Sequence, residues 1–229
     1  MFFLVDNNNK VIFGWSAKCG CSHVKRLFWF LKNNAEDKQI HTSADMNKLP
    51  SNIEKYTTII ISRNPYKRIV SGFLDKYKKN GEFRRFWKHD NITFSKFVNE
   101  LIKNDWKMVN QHHFTPQTSE AFNFKLFKSK SLYFYDIEKI NYNHIEKIYN
   151  KKIPENVMGK KEGHERVKFE KTLDGDVYNL NLDTYNKCNV DLKYFYNKEI
   201  QNKIFKFYKR DFIFFSKVGI NYINSIDFK

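Results

Sequence analysis

Twice in its first third, the chain passes from an unbroken apolar run through a short polar turn into a helical pattern. Val11–Trp15 leads into "SAKCGCSHVKR", residues 16–26, and the run 57–61 leads into "SRNPYKRIVSGF", residues 62–73. Runs of this kind, apolar on both faces, mark strands buried in a parallel sheet. A strand followed by a helix, repeated, builds an open α/β sheet, and such sheets bind ligands beyond the carboxyl ends of their strands. Both turns fall at that end. Each also sets cationic side chains and exposed backbone N–H groups at the start of a helix, which is how a protein holds phosphate. Two such sites imply a ligand carrying phosphate at both ends.

The rest of the pattern agrees with an α/β fold, a mainly parallel sheet flanked by helices, in one domain over residues 1–229. The 41% apolar content suffices for a core at this length. Residues 2–5 and 11–15 flank the turn-rich "DNNNK" and predict a hairpin. Ser22 predicts the cap of a helix running to about Asn33, with Val24, Leu27, Phe28 and Leu31 on one face. Asn64 followed by Pro65 predicts a second helix start, with Ile69, Val70, Phe73, Leu74 and Tyr77 inward. Further helices are predicted over 94–105, 137–149 and 200–215, short strands over 124–127 and 132–135, and loops over 110–118 and 154–176.

No apolar stretch is long enough to span a bilayer, and the opening "MFFLV" lacks a basic leader, so a cytoplasmic protein is expected. Three cysteines, Cys19, Cys21 and Cys188, make no disulfide framework and fit reduced thiols. Lys and Arg exceed Asp and Glu by 41 to 25, a net charge of +16, which favours an anionic partner: nucleotide, nucleic acid, acidic glycan or membrane surface. Richness in Asn, Ile, Phe and Tyr points to biased base composition in the gene as another source of part of that charge. A non-catalytic nucleic-acid-binding protein would use the basicity and the 17% aromatic content for phosphate contacts and stacking. It would leave the paired turns unexplained.

In the first turn, Gly20 lets the backbone approach a ligand closely. The N–H groups from Cys19 to His23 could ring an oxyanion, with Lys18 as a point charge and the Ser22 hydroxyl as a further donor. A Walker A loop ends in Gly-Lys-Ser/Thr, whereas Gly20 is followed by Cys21 and Ser22; a P-loop nucleotide kinase also needs a Mg²⁺ carboxylate, for which the sequence offers no good pair. Cys19, Cys21 and His23 lack an evident fourth ligand and the paired spacing of structural zinc, so no metal is expected. Cys21 reads as a small residue packed beneath the turn. An ordinary strand-to-helix turn with a capping serine is the plain alternative. In the second turn, Arg63 can grip phosphate with its guanidinium fork. The Ser71 hydroxyl could reach the same group or simply pack between helices, and Arg68 reads as a brace against a carboxylate such as Asp75.

Together the two turns resemble the sulfotransferases, most closely the carbohydrate sulfotransferases of the chondroitin and dermatan type and their bacterial relatives. The family's first signature, Pro-Lys-x-Gly-Cys/Ser-Ser/Thr-x-x-Lys/Arg, is matched by Lys18, Gly20, Cys21, Ser22 and Lys25, with Ala17 in place of proline. The second, Arg-x-Pro-x-x-Arg-Leu/Ile-Val-Ser-x-Tyr/Phe, is matched by Arg63, Pro65, Arg68, Ile69, Val70, Ser71 and Phe73. "HHFTPQT", residues 112–118, resembles a His-aromatic-x-Pro-Gln segment through His113, Phe114, Pro116 and Gln117. "YKRDFIFF" resembles the family's closing segment through Tyr208, Asp211, Phe212 and Phe215, and "YDIEKI" a strand leading to an acidic helix start at Glu138. The paired luminal cysteines of Golgi-type members are absent.

The resemblance implies a P-loop-like sulfotransferase fold. It implies an enzyme dependent on 3′-phosphoadenosine 5′-phosphosulfate (PAPS) that sulfates a hydroxyl and releases adenosine 3′,5′-bisphosphate (PAP) without a metal. It assigns Lys18, Cys19, Gly20, Cys21, Ser22, His23 and Lys25 to the 5′-phosphosulfate, and Arg63 and Ser71 to the 3′-phosphate. Lys18 would neutralise the leaving phosphate, and His113 is the first choice of general base, with adjacent His112 the alternative. His23, His41, His164, Glu138 and Asp211 are the other titratable candidates. A carbohydrate hydroxyl is the expected acceptor, an acidic glycan being favoured by charge, with a neutral sugar, lipid or small alcohol open; no stable nucleic-acid partner is expected. The loop 154–176, with Lys160, Lys161, Arg166, Lys168 and Lys171, could cover the nucleotide, grip the acceptor or simply be solvated.

Overall fold

The computed structural model describes residues 1–33, 49–86, 91–103, 111–118, 124–159, 170–185 and 187–223. In chain order its elements are β1 (Phe2–Asp6), β2 (Val11–Trp15), α1 (Cys21–Asn33), β3 (Thr57–Ser62), α2 (Pro65–Lys76), α3 (Glu82–Phe86), α4 (Phe94–Ile102), α5 (Gln111–Phe114), β4 (Ser131–Asp136), α6 (Tyr142–Tyr149), α7 (Glu155–Met158), β5 (Lys171–Leu173), β6 (Cys188–Val190), α8 (Lys198–Phe207) and α9 (Lys209–Lys217). They group into two compact units, Met1–Arg63 with Gln117–Gly163 and Asn64–Pro116 with His164–Lys229. Among the described residues no helix is long and apolar enough to cross a membrane. His41, His164, Lys160, Lys161, Arg166 and Lys168 lie outside the described residues.

The first unit holds the sheet, in the order β1-β2-β3-β4. β1 and β2 form the predicted antiparallel hairpin, and β2, β3 and β4 run parallel. Asp6 closes the hairpin turn: its Oδ1 accepts from the Asn8 and Asn9 N–H groups at 3.0 and 3.1 Å. Val11, Phe13, Trp15, Ile59 and Ile61 meet Val24, Leu27, Phe28 and Leu31 of α1, Ile145 and Tyr149 of α6, and Val157 of α7 in one core. Burying each such side chain contributes about 1.5–3 kcal/mol. Ile12 and Ile60, at alternate positions, are also 0% exposed. Burial on both faces is why these strands read as unbroken apolar runs. The α/β class and the mostly parallel sheet flanked by helices are as expected.

The second unit is packed through aromatic rings. α2 is capped by Asn64, whose side chain accepts from the Tyr66 N–H at 3.0 Å, with Pro65 in the first turn. Of its predicted inner face, Ile69, Val70, Phe73 and Tyr77 are buried and Leu74 is half-exposed. Tyr77 stacks on Phe83 at 4.7 Å, Phe97 lies 4.9 Å from Phe114, and Tyr66 lies 5.0 Å from Phe212. Each such pair contributes about 0.5–1.5 kcal/mol beyond its buried area. α4 buries Phe94, Phe97, Val98 and Leu101 as its spacing predicts, behind the cap Thr93.

Several predicted elements differ. The segment 124–127 is a 3₁₀ turn, Phe124–Lys128, and not a strand: Leu126 anchors it while Phe127 is 52% exposed. The helix predicted from 137 starts at Tyr142, because Asp136 folds the chain into a turn, accepting the Glu138 N–H at 2.7 Å, and Asn141 supplies the cap. The acidic start at Glu138 is therefore outside a helix. The loop 154–176 contains α7 and β5, and β5 pairs in parallel with β6. The closing helix is broken at Tyr208 into α8 and α9.

Candidate functional site

The turn after β2 is built on two left-handed residues, Lys18 at φ +66° and Gly20 at φ +74°. The Cys19 N–H bonds back to the Ser16 carbonyl at 3.1 Å, and the chain turns into α1 at Cys21. α1 thus opens one residue before the predicted cap Ser22; Gly20 stands at the cap, its carbonyl taking the Val24 N–H at 2.9 Å. Glycine is required there twice over. Its φ is positive, and an added Cβ would lie 2.6 Å from Ile137 Cδ1. Lys18 holds its left-handed geometry at a cost of about 1–2 kcal/mol, a strain that the surrounding bonds maintain. No acidic residue occupies the first turn of α1, so no carboxylate of the helix's own offsets the positive end of its dipole.

Arg63 follows the last residue of β3. Its Nη1 donates to the Lys18 carbonyl at 3.1 Å, across 45 residues of sequence. Its Nε is buried without a hydrogen-bond partner among the described residues. Gln117, 2% exposed, grips the Arg63 backbone: its Oε1 accepts from the Arg63 N–H at 3.0 Å and its Nε2 donates to the Arg63 carbonyl at 2.7 Å. The same Oε1 accepts from the Cys19 thiol at 3.0 Å. Cys19 is therefore fully buried, and its side chain is a strut of the turn.

Cys21 packs against the hydrophobic core, as expected, and Ser22 and His23 complete the first helical turn. The His23 Nε2 pairs with the Tyr142 hydroxyl at 2.8 Å; that hydroxyl also donates to the Met158 carbonyl at 3.2 Å. Burial pushes the Tyr142 phenol above its ordinary pKa, keeping it a neutral partner. Lys25 is 7% exposed, with its ammonium 5.8 Å from the Trp15 ring centre. Cys19, Cys21 and Cys188 are free thiols, and no group of three His, Cys, Asp or Glu among the described residues could hold a metal.

Ser71, His112 and His113 belong to the second unit. Ser71 and His113 are half-buried; the side chain of His112 lies outside the described residues. Gly72, next to Ser71, takes the Phe114 ring so closely that an added Cβ would lie 2.5 Å from its Cε1. α2 and α5 therefore pack closely at Gly72 and Phe114, the chain neighbours of Ser71 and His113. The segment 110–118, predicted as a loop, carries α5 because its backbone is held from two sides. The Phe114 carbonyl accepts from the Tyr208 hydroxyl at 2.6 Å and the Thr115 carbonyl from Arg68 Nη1 at 2.9 Å. Arg68 braces the fold through that carbonyl, while Asp75 takes Lys78 at 3.2 Å.

The first unit thus gathers Lys18, Cys19, Gly20, Cys21, Ser22, His23, Lys25 and Arg63, and the second Ser71 and His113. Sequence reasoning named Arg68 as a brace and matched Gln117 and Tyr208 to family segments, but gave Tyr142 no role; no local signal names the distant groups that these side chains hold. A search of curated proteins and of solved structures yields no match. The model of the sulfotransferase family matches residues 2–217, both signature turns included. The chain belongs to the sulfotransferase family.

Proposed function

We propose that this enzyme moves a sulfuryl group from PAPS to a carbohydrate hydroxyl. The observation that carries the reading is Arg63, which reaches the Lys18 turn through Nη1 and keeps a buried Nε donor to spare. One guanidinium thereby ties together the two motifs suited to the two anionic ends of one nucleotide. In an in-line displacement, the acceptor oxygen bonds to sulfur as the bond from sulfur to the 5′-phosphate oxygen breaks, and the acceptor proton passes to a base. Lys18 and the N–H groups from Gly20 to His23 stabilise the charge gathering on the phosphate, at the positive end of α1, the Cys19 N–H being engaged with the Ser16 carbonyl. Arg63 and Ser71 hold the 3′-phosphate. His113 takes the acceptor proton, an imidazole being suited to proton transfer near neutral pH. A net charge of +16 favours an acidic glycan as acceptor.

Thermal unfolding tests the donor. PAP at a hundred times its Kd should raise Tm by about 5–10 °C, ATP and AMP by much less, and Arg63→Ala should abolish most of that shift. Equal stabilisation by ATP would point to a nucleotide kinase instead and end this reading. Labelled PAPS offered with a panel of acidic and neutral glycans then identifies the acceptor. With that acceptor, His113→Ala should lose about 10²–10⁴ in turnover while keeping its affinity for PAP. A rate near that of the wild type would remove His113 from the role of base.

A further inference from the structure

We propose that Gln117 is a positioning residue that sets Arg63 and the Lys18–Cys19 turn in register, an inference that rests on the donor reading above. The last residue of β3 in its ladder with β4 is Ser62, opposite Asp136. Arg63 is the first residue past that ladder, where its backbone N–H and carbonyl need other partners. Gln117 supplies both with one side-chain amide, accepting at 3.0 Å and donating at 2.7 Å, as a neighbouring strand would. Its oxygen then reaches the Cys19 thiol at 3.0 Å. Arg63 in turn donates to the Lys18 carbonyl at 3.1 Å. Three residues assigned to the donor's two ends are thus spaced by a single buried amide. Only glutamine has donor and acceptor at this reach: glutamate lacks the donor, and asparagine is one methylene shorter.

The test is a double-mutant cycle read by calorimetry with PAP, thermal unfolding confirming that each variant folds. Gln117→Leu, similar in size, should bind PAP about tenfold or more weakly, since two hydrogen bonds to the Arg63 backbone are lost. Gln117→Leu combined with Arg63→Ala should lose less affinity than the sum of the two single losses, because part of what Gln117 does passes through Arg63. Additive losses, or unchanged affinity in a folded Gln117→Leu protein, would overturn the proposal. A second readout needs no nucleotide. Iodoacetamide labelling mapped by mass spectrometry should speed up at Cys19 in Gln117→Leu and not at Cys188, which lies in the second unit. Labelling of Cys19 at the wild-type rate would also overturn it. A wild-type protein that ignores PAP defeats the donor reading, and the thiol result still decides whether Gln117 holds the turn.

Discussion

Lys18→Ala is expected to lower turnover of labelled PAPS by about 10²–10³-fold, the usual effect of removing one donor from a developing oxyanion. The fold should survive, because what Lys18 gives Arg63 is its backbone carbonyl, which alanine keeps. Lys18 also sits at φ +66°, a conformation that alanine tolerates no better. Lys18→Gly therefore separates charge from backbone. It removes the ammonium and the strain together, so its Tm should equal or exceed that of Lys18→Ala while its turnover falls as far. Equal losses of activity in two variants of unequal stability would assign the effect to the ammonium. Near-normal turnover in either variant would sink the role of Lys18.

The features legible in the sequence were those written in a few consecutive residues. Asn64-Pro65 specifies a cap and a first turn by its own chemistry, and β3 follows directly from its β-branched run. Lys18 to Ser22 and Arg63 announced themselves by residue type at fixed spacing. The features that were hidden depend on partners far along the chain. Gln117 reaches back 54 residues to Arg63 and 98 to Cys19; the His-aromatic-x-Pro-Gln resemblance marks the residue, but nothing around it names those partners. The break at Tyr208 was invisible for a different reason. Ile200, Ile204, Phe212 and Phe215 are all buried, so the helical period runs through the break unchanged. Periodicity reports which side chains are buried and is blind to the hydroxyl of Tyr208, which is engaged with the Phe114 carbonyl. At 137–149 the apolar spacing similarly concealed a turn made by the Asp136 carboxylate, a bond that competes locally with helix. β5 and β6 are three residues each, too short to show any period.

Gly20→Ala should be the most damaging single methyl group in the first unit, because two separable penalties meet there. The backbone penalty is about 1–2 kcal/mol for holding an L-residue at φ +74°. The steric penalty comes from Ile137, whose Cδ1 and Cγ1 would lie 2.6 and 2.8 Å from the new Cβ. That side chain can rotate away, so the backbone term should dominate, with a total of about 2–3 kcal/mol. Denaturant unfolding of Gly20→Ala, Ile137→Ala and the double variant resolves the two. Adding Gly20→Ala to Ile137→Ala should still cost about 1–2 kcal/mol, the backbone term alone, since the clash is gone. If the double variant instead recovers the stability of Ile137→Ala, the turn has no need of a left-handed residue at position 20. Function should fall further than stability. The directions of the N–H groups from Gly20 to His23 depend on the φ of Gly20, so PAP binding should be weakened even under conditions where the variant is fully folded. Full affinity in a folded Gly20→Ala protein would mean that the backbone of this turn does not hold the 5′-phosphate.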